Sequence, residues 1–207
     1  MRRVAVDANH PDPAAIALAV EAVRAGRVVA YPTDTLYGLA VDPRDDRAVG
    51  RLFALKGRDT RAAVPLVASN LGQAMQAGEF GPREQRVADA FWPGPLSIVV
   101  PARVSIARSA LGGGQTIAVR VPAHAVARRL AAELGFCVTA TSANASGQPP
   151  AASADVVAQA LLDIDLLLDA GGAVGGPPST IIAFDSDGPV LVRAGAIPWD
   201  RVIKSLQ

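Results

Sequence analysis

Helix-period stretches and short β-like runs alternate along almost the whole chain. Asp12 is placed to cap a helix that begins at Pro13, and Ile16, Val20 and Val23 then recur at helical spacing until Gly26. Further helical patterns fall at Asp46–Leu55, Pro82–Phe91, Ala123–Leu134, Ser153–Leu162 and Pro198–Leu206. Between them lie β-like runs at Val28–Tyr31, Leu66–Ala68, Leu96–Val100, Thr116–Val121, Cys137–Thr141, Leu166–Asp169, Ser179–Phe184 and Val190–Arg193. Such interleaving predicts an α/β domain, with one main sheet covered by helices. No stretch reads as a linker and no internal repeat is present, so one domain over residues 1–207 is expected.

The strands are apolar, yet their ends are not. "YPTDTLYGL" at 31–39 sets Thr33, Asp34 and Thr35 in a row after Val28-Val29-Ala30-Tyr31. Lys56-Gly57-Arg58 follows a helix, Thr116 and Arg120 stand in "TIAVRVP", and Ser142 and Asn144 in "TSANASG". Ser179 lies in "PSTI" and Arg193 in "VLVRAG". Loops at strand ends are where α/β proteins bind ligands. An arginine fork suits phosphate or carboxylate and a lysine supplies a point charge, so the set favours a polyanionic ligand. Singly, each residue also fits a plainer place. Arg120 and Arg193 alternate with apolar neighbours like solvent-facing strand positions. Lys56 and Arg58 fit the charges common at a helix C-terminus, and Ser142 and Asn144 fit a turn. Cys137 is expected in the core, and His124 on the surface at a helix start.

Several chemistries are excluded by what is missing. Cys137 is the single cysteine and His10 and His124 the only histidines, so neither a disulfide framework nor a transition-metal site is expected. There is no G-x-x-x-x-G-K-[ST], no G-x-G-x-x-G after a strand and no nucleophile elbow. The net charge of +1 gives no global field for nucleic acid. No apolar run approaches the roughly 20 residues that span a bilayer, and the N-terminus lacks a signal-peptide core, so a soluble cytoplasmic protein is expected.

Taken in order, "YPTDTLYGL", "KGR…PL", "WPGPLS", "TIAVRVP", "TSANASG", "STI" and "VLVRAG" resemble the YrdC-like family of threonylcarbamoyl-AMP synthases, from about Gly26 to Ile197. The resemblance implies a single YrdC-like domain, a twisted open mixed sheet flanked by helices with a basic concave cleft. It implies that L-threonine, bicarbonate and ATP are joined into threonylcarbamoyl-adenylate, with Mg²⁺ accompanying the nucleotide. The product would pass to a tRNA threonylcarbamoyl transferase complex, with at most weak tRNA contact by the chain itself. Lys56 and Arg58 correspond to the catalytic phosphate-binding pair. Thr116, Ser142, Asn144 and Arg193 correspond to nucleotide-binding positions, and Thr33, Arg120 and Ser179 to the threonine subsite.

Two positions depart from the family pattern. Asp59 follows Arg58 where many members have proline, and Ser69 stands where many carry histidine. The chain resembles the short form, without a further C-terminal domain. Two other readings share the fold: an RNA-binding module, and a YciO-like paralogue of different activity. Nine aromatic residues are few for a base-stacking platform, and the intact "SAN" block argues against the paralogue.

Overall fold

The computed structural model describes all residues except Arg58, Thr60 and Val174. In chain order the strands are β1 (Arg2–Ala5), β2 (Val29–Tyr31), β3 (Gly38–Ala40), β4 (Leu66–Val67), β5 (Leu96–Pro101), β6 (Thr116–Arg120), β7 (Val138–Thr139), β8 (Thr141–Ser142), β9 (Leu166–Asp169), β10 (Thr180–Phe184) and β11 (Pro189–Arg193). The helices are α1 (Pro13–Arg24), α2 (Asp46–Lys56), α3 (Leu71–Ala77), α4 (Pro82–Phe91), α5 (Ala125–Leu134), α6 (Ala154–Ala160) and α7 (Trp199–Ser205), with a 3-10 turn at Arg108–Leu111.

The α/β class is as the sequence predicts, but the strands divide between two mixed sheets instead of one. One sheet has the order β1-β9-β2-β3-β8 and the other β11-β10-β5-β6-β4-β7. The expected strand Cys137–Thr141 shows how this comes about. Val138–Thr139 pairs with β4 in the second sheet, whereas Thr141–Ser142 pairs with β3 in the first. The chain crosses between sheets at Ala140, whose N–H is held by the carbonyl of Pro65. Thr139 adds a second tie, its hydroxyl donating to Leu39 O and accepting from Val41 N–H.

Elements that the sequence pattern passes over are short or atypical in composition. β3 begins at Gly38, where the ring of Tyr31 lies 3.3 Å from the position a Cβ would take. β1 is an exposed arginine-bearing edge strand, fastened by Arg3 to Asp155 and Asp169. α3 has seven residues with Gly72 inside it, and depends on the Asn70 side chain accepting from Gln73 N–H. The capped start of α1 falls where Asp12 and Pro13 place it, with the Asp12 carboxylate accepting from Ala14 N–H.

Strand alternation feeds two apolar clusters. Val29 and Tyr31 pack with α1 and α5, and Val28, Ala30 and Leu39 face the larger cluster with α2 and β5. Cys137 is buried, as expected, and burial pushes its thiol up to about 12. Among the described residues no helix is long and apolar enough to cross a membrane.

Candidate functional site

A cleft of about 550 Å³ opens between the two sheets where β8 leaves β7, within the usual range for small-molecule sites. Its lining includes Thr33 and Thr35 from the β2–β3 connection, Ser97 from β5, Thr116 and Arg120 from β6, Thr141 and Ser142 from β8, and Ser179 and Arg193 beside β10 and on β11. Arg120 and Arg193 are the only charged side chains among the described lining residues. The cleft thus has hydroxyls and guanidiniums around an apolar floor that includes Val99 and Ile181.

The "PTDT" turn assigns its three polar residues separate tasks. Thr33, buried, closes the turn: its hydroxyl donates to Leu36 O at 2.6 Å and accepts from Thr35 N–H at 3.2 Å and Leu36 N–H at 3.3 Å. That is a hydroxyl-capped turn of the kind threonine forms with its own backbone. Thr35 faces the cleft within 3.1 Å of Thr33 Oγ1. Asp34 reaches away from the turn to the other sheet. Its Oδ2 accepts from Ala123 N–H at 3.0 Å and its Oδ1 lies 3.3 Å from Arg120 Nη2.

On the opposite wall, Arg193 donates through Nε and Nη2 to Ser179 O, at 3.2 and 2.7 Å, and through Nη2 to Ser179 Oγ. Ser179 Oγ in turn lies 3.1 Å from Ser97 Oγ. Partial burial of the guanidinium, and then the charge of Arg120, lower the Arg193 pKa. The second of these causes means that the two guanidiniums share one field. An anion entering the cleft meets both.

Six of the nine residues singled out from the sequence line this cleft: Thr33, Thr116, Arg120, Ser142, Ser179 and Arg193. Arg58 lies outside the described residues. Lys56 and Asn144 are not in the lining but directly behind it. Lys56 is not the exposed helix-end charge that its place at the C-terminus of α2 suggests; it is 4% exposed. Gly57, at φ 57°, caps α2 in the left-handed region. The Lys56 ammonium donates to Ser142 O, to Asn144 O at 2.6 Å and to Asn144 Oδ1 at 3.3 Å. Asn144 Oδ1 also accepts from Ser142 Oγ, and its Nδ2 donates to Gln148 O. Lysine and asparagine together set the shape of the "SAN" loop.

Ser97 and Thr141 belong to the cleft without having been singled out, as does Thr35, which the sequence marks in the "PTDT" row but without a site role. The signal for Ser97 was a hydroxyl inside the otherwise apolar run Leu96–Val100. His124 is not simply a surface residue: it is half-buried, its Nδ1 has no hydrogen-bond partner among the described residues, and burial lowers its pKa against the opposing pull of Asp34. Among the described residues no group of three or more His, Cys, Asp or Glu is placed so that it could hold a metal ion.

Arginines and hydroxyls thus converge between the sheets of a two-sheet α/β domain whose sequence carries no phosphate-binding P-loop. The family model Sua5/YciO/YrdC, described as telomere recombination, matches residues 21–195, and the chain belongs to that family. It is 36% identical over 191 residues to the threonylcarbamoyl-AMP synthase of Pyrococcus abyssi, covering 91% of this chain and 56% of that protein. To the threonylcarbamoyl-AMP synthase of Chromohalobacter salexigens it is 43% identical over 171 residues, covering 80% and 90%. Among solved structures, P. abyssi Sua5 complexed with L-threonine superposes with a TM-score of 0.93 at 34% identity, covering 100% of this chain and 61% of that one. E. coli YciO superposes at 0.88 with 26% identity over the full length of both. The chain thus spans little more than half of the Pyrococcus relative and most of the Chromohalobacter one.

Proposed function

We propose that this chain is a threonylcarbamoyl-AMP synthase, joining L-threonine, bicarbonate and ATP into threonylcarbamoyl-adenylate with release of pyrophosphate. The observation that carries this reading is the meeting of six side chains, from separate parts of the sequence, in one inter-sheet cleft of a family member whose relatives bear that name. The P. abyssi Sua5 structure, titled as a complex with L-threonine, supports an amino-acid subsite in the same fold.

In this reading the threonine amine adds to carbon dioxide derived from bicarbonate, giving a carbamate and releasing a proton. A carbamate oxygen attacks the α-phosphorus, the bond from that phosphorus to the bridging oxygen breaks, and pyrophosphate leaves with the electron pair. The chain supplies alignment and positive charge, not a covalent nucleophile. Arg120 and Ser179 serve the amino acid, with Thr33 fixing the turn beside it. Arg193, Thr116 and Ser142 serve the nucleotide, and Asn144 acts through the loop it shapes. Lys56 and Arg58 serve the phosphates. The described lining of the cleft contains no carboxylate, so Mg²⁺ fits as an ion carried by the nucleotide and water.

The product is a mixed anhydride prone to hydrolysis, which suits transfer to a tRNA threonylcarbamoyl transferase complex in the cytoplasm. Direct tRNA contact would be weak and salt-dependent at a net charge of +1. The test is pyrophosphate release by the purified protein. It is expected only with L-threonine and bicarbonate both present, and equal ATP turnover without threonine would overturn the reading.

A further inference from the structure

The ion pair between Asp34 and Arg120 differs from the others. Both side chains are buried, at 9% and 8% exposure, whereas every other ion pair among the described residues has at least one partner more than 40% exposed. It also joins the two walls of the cleft. Asp34 belongs to the β2–β3 turn of the five-stranded sheet and Arg120 ends β6 of the six-stranded sheet.

Its geometry is asymmetric. Asp34 Oδ2 is anchored by Ala123 N–H, just before α5. Oδ1 is buried and, among the described residues, has no hydrogen bond and only the 3.3 Å charge contact with Arg120 Nη2. On the cleft side, Arg120 Nη1 lies 3.5 Å from Thr35 Oγ1. A buried carboxylate oxygen without a hydrogen bond is costly, and breaking a buried pair leaves the other charge uncompensated. Without Asp34, Arg120 would face Arg193 with no carboxylate in the described lining of the cleft to hold it.

We propose that Asp34 is the positioning residue of the cleft, clamping the two sheets and fixing the Arg120 guanidinium so that its free edge meets the anionic end of the amino acid. The inference rests on the synthase reading for the identity of that anion. Asp34 touches neither substrate; its influence passes through Arg120.

The test compares Asp34→Asn, which can still accept from Ala123 N–H, with Asp34→Glu, Arg120→Lys and the Asp34→Asn/Arg120→Lys double variant. Asp34→Asn is expected to lower kcat/KM for L-threonine by about 10²-fold, the scale of a 1 Å misplacement, while KM for ATP changes less than about threefold. Asp34→Glu, which keeps the charge, should recover part of the loss. In the double variant, Asp34→Asn should add less than about twofold to the Arg120→Lys loss, because the two act as one unit. Additive losses, or equal changes in both substrates' KM values, would overturn the proposal. Nitrogen-15 spectra of the arginine side chains give a readout that needs no turnover. Resolved Nη signals from a clamped Arg120 should average together in Asp34→Asn, and an unchanged Arg120 spectrum would also overturn it. If the wild-type protein releases no pyrophosphate, the synthase reading falls and the nitrogen spectra alone decide the role of Asp34. A variant too unstable for turnover is judged by the same spectra at low temperature.

Discussion

Lys56 shows how far a side chain's role can depart from its local sequence. Helix-end lysines normally lie in solvent and contribute little, but this one is buried with its ammonium among oxygens of residues 142 and 144. Nothing near residue 56 in sequence announces partners 86 and 88 positions away. If Lys56 also serves the phosphates, it couples the "SAN" loop to the nucleotide through one charge. Lys56→Met keeps the stem and removes the donor: Ser142 O retains only Asn144 N–H, and Asn144 O is left with no donor among the described residues, at a cost of about 1–3 kcal/mol. For a chain of this length that lowers Tm by roughly 2–12 °C. Threonine-dependent pyrophosphate release should fall by about 10²-fold or more. Thermal melting and turnover on the same preparation check both. An unshifted Tm would show that the carbonyls find other partners, and unchanged turnover would remove Lys56 from the proposed machinery.

At the scale of elements, the cleft depends on how closely β10 approaches the chain leaving β11. A Cβ at Gly195 would lie 2.3 Å from Pro178 O and 2.5 Å from Ser179 C and Thr180 N, all backbone atoms that cannot swing aside. Ala196 N–H donates to Pro178 O across the same contact. Gly195→Ala should therefore push away the segment carrying Ser179, and with it the carbonyl on which Arg193 rests. Overpacking of this kind costs typically 1–3 kcal/mol. The expected outcome is a lower Tm together with a KM for L-threonine raised at least about fivefold, measured by melting and by initial rates. A KM within error of wild type would mean that the wall accommodates the methyl group. Six of the seven helices among the described residues, most strands and the α/β class were legible because they rest on local periodicity and caps, as at Asp12-Pro13 and Leu166–Asp169. The division into two sheets was not, because it is set by the non-local partners of residues 138–142. In the site, motif resemblance supplied six of the residues that line the cleft and missed Thr35, Ser97 and Thr141. The burial of Lys56 and the reach of Asp34 to Arg120 needed the fold.

For the molecule as a whole, the two sheets share their cores. β2 sends Ala30 to the larger cluster and Val29 and Tyr31 to the cluster with α1 and α5. β4, in the other sheet, does the same with Leu66 and Val67. Neither sheet can lose its packing without exposing apolar surface of the other, so the described residues should unfold as one cooperative unit. Calorimetry is expected to give one transition. Its enthalpy should be on the order of 140 kcal/mol near 60 °C at about 0.7 kcal/mol per residue, with van't Hoff and calorimetric values agreeing. Leu39→Ala provides the sharper test, since Leu39 is fully buried in β3 of the five-stranded sheet but packs in the cluster shared with β5. The cavity should cost about 2–5 kcal/mol, moving the whole transition down by roughly 5–15 °C while leaving it single. A transition that splits, with one part unmoved, would show that the sheets melt separately. The cleft between them would then be a boundary between independent units, and the Asp34–Arg120 clamp would have to hold it closed alone.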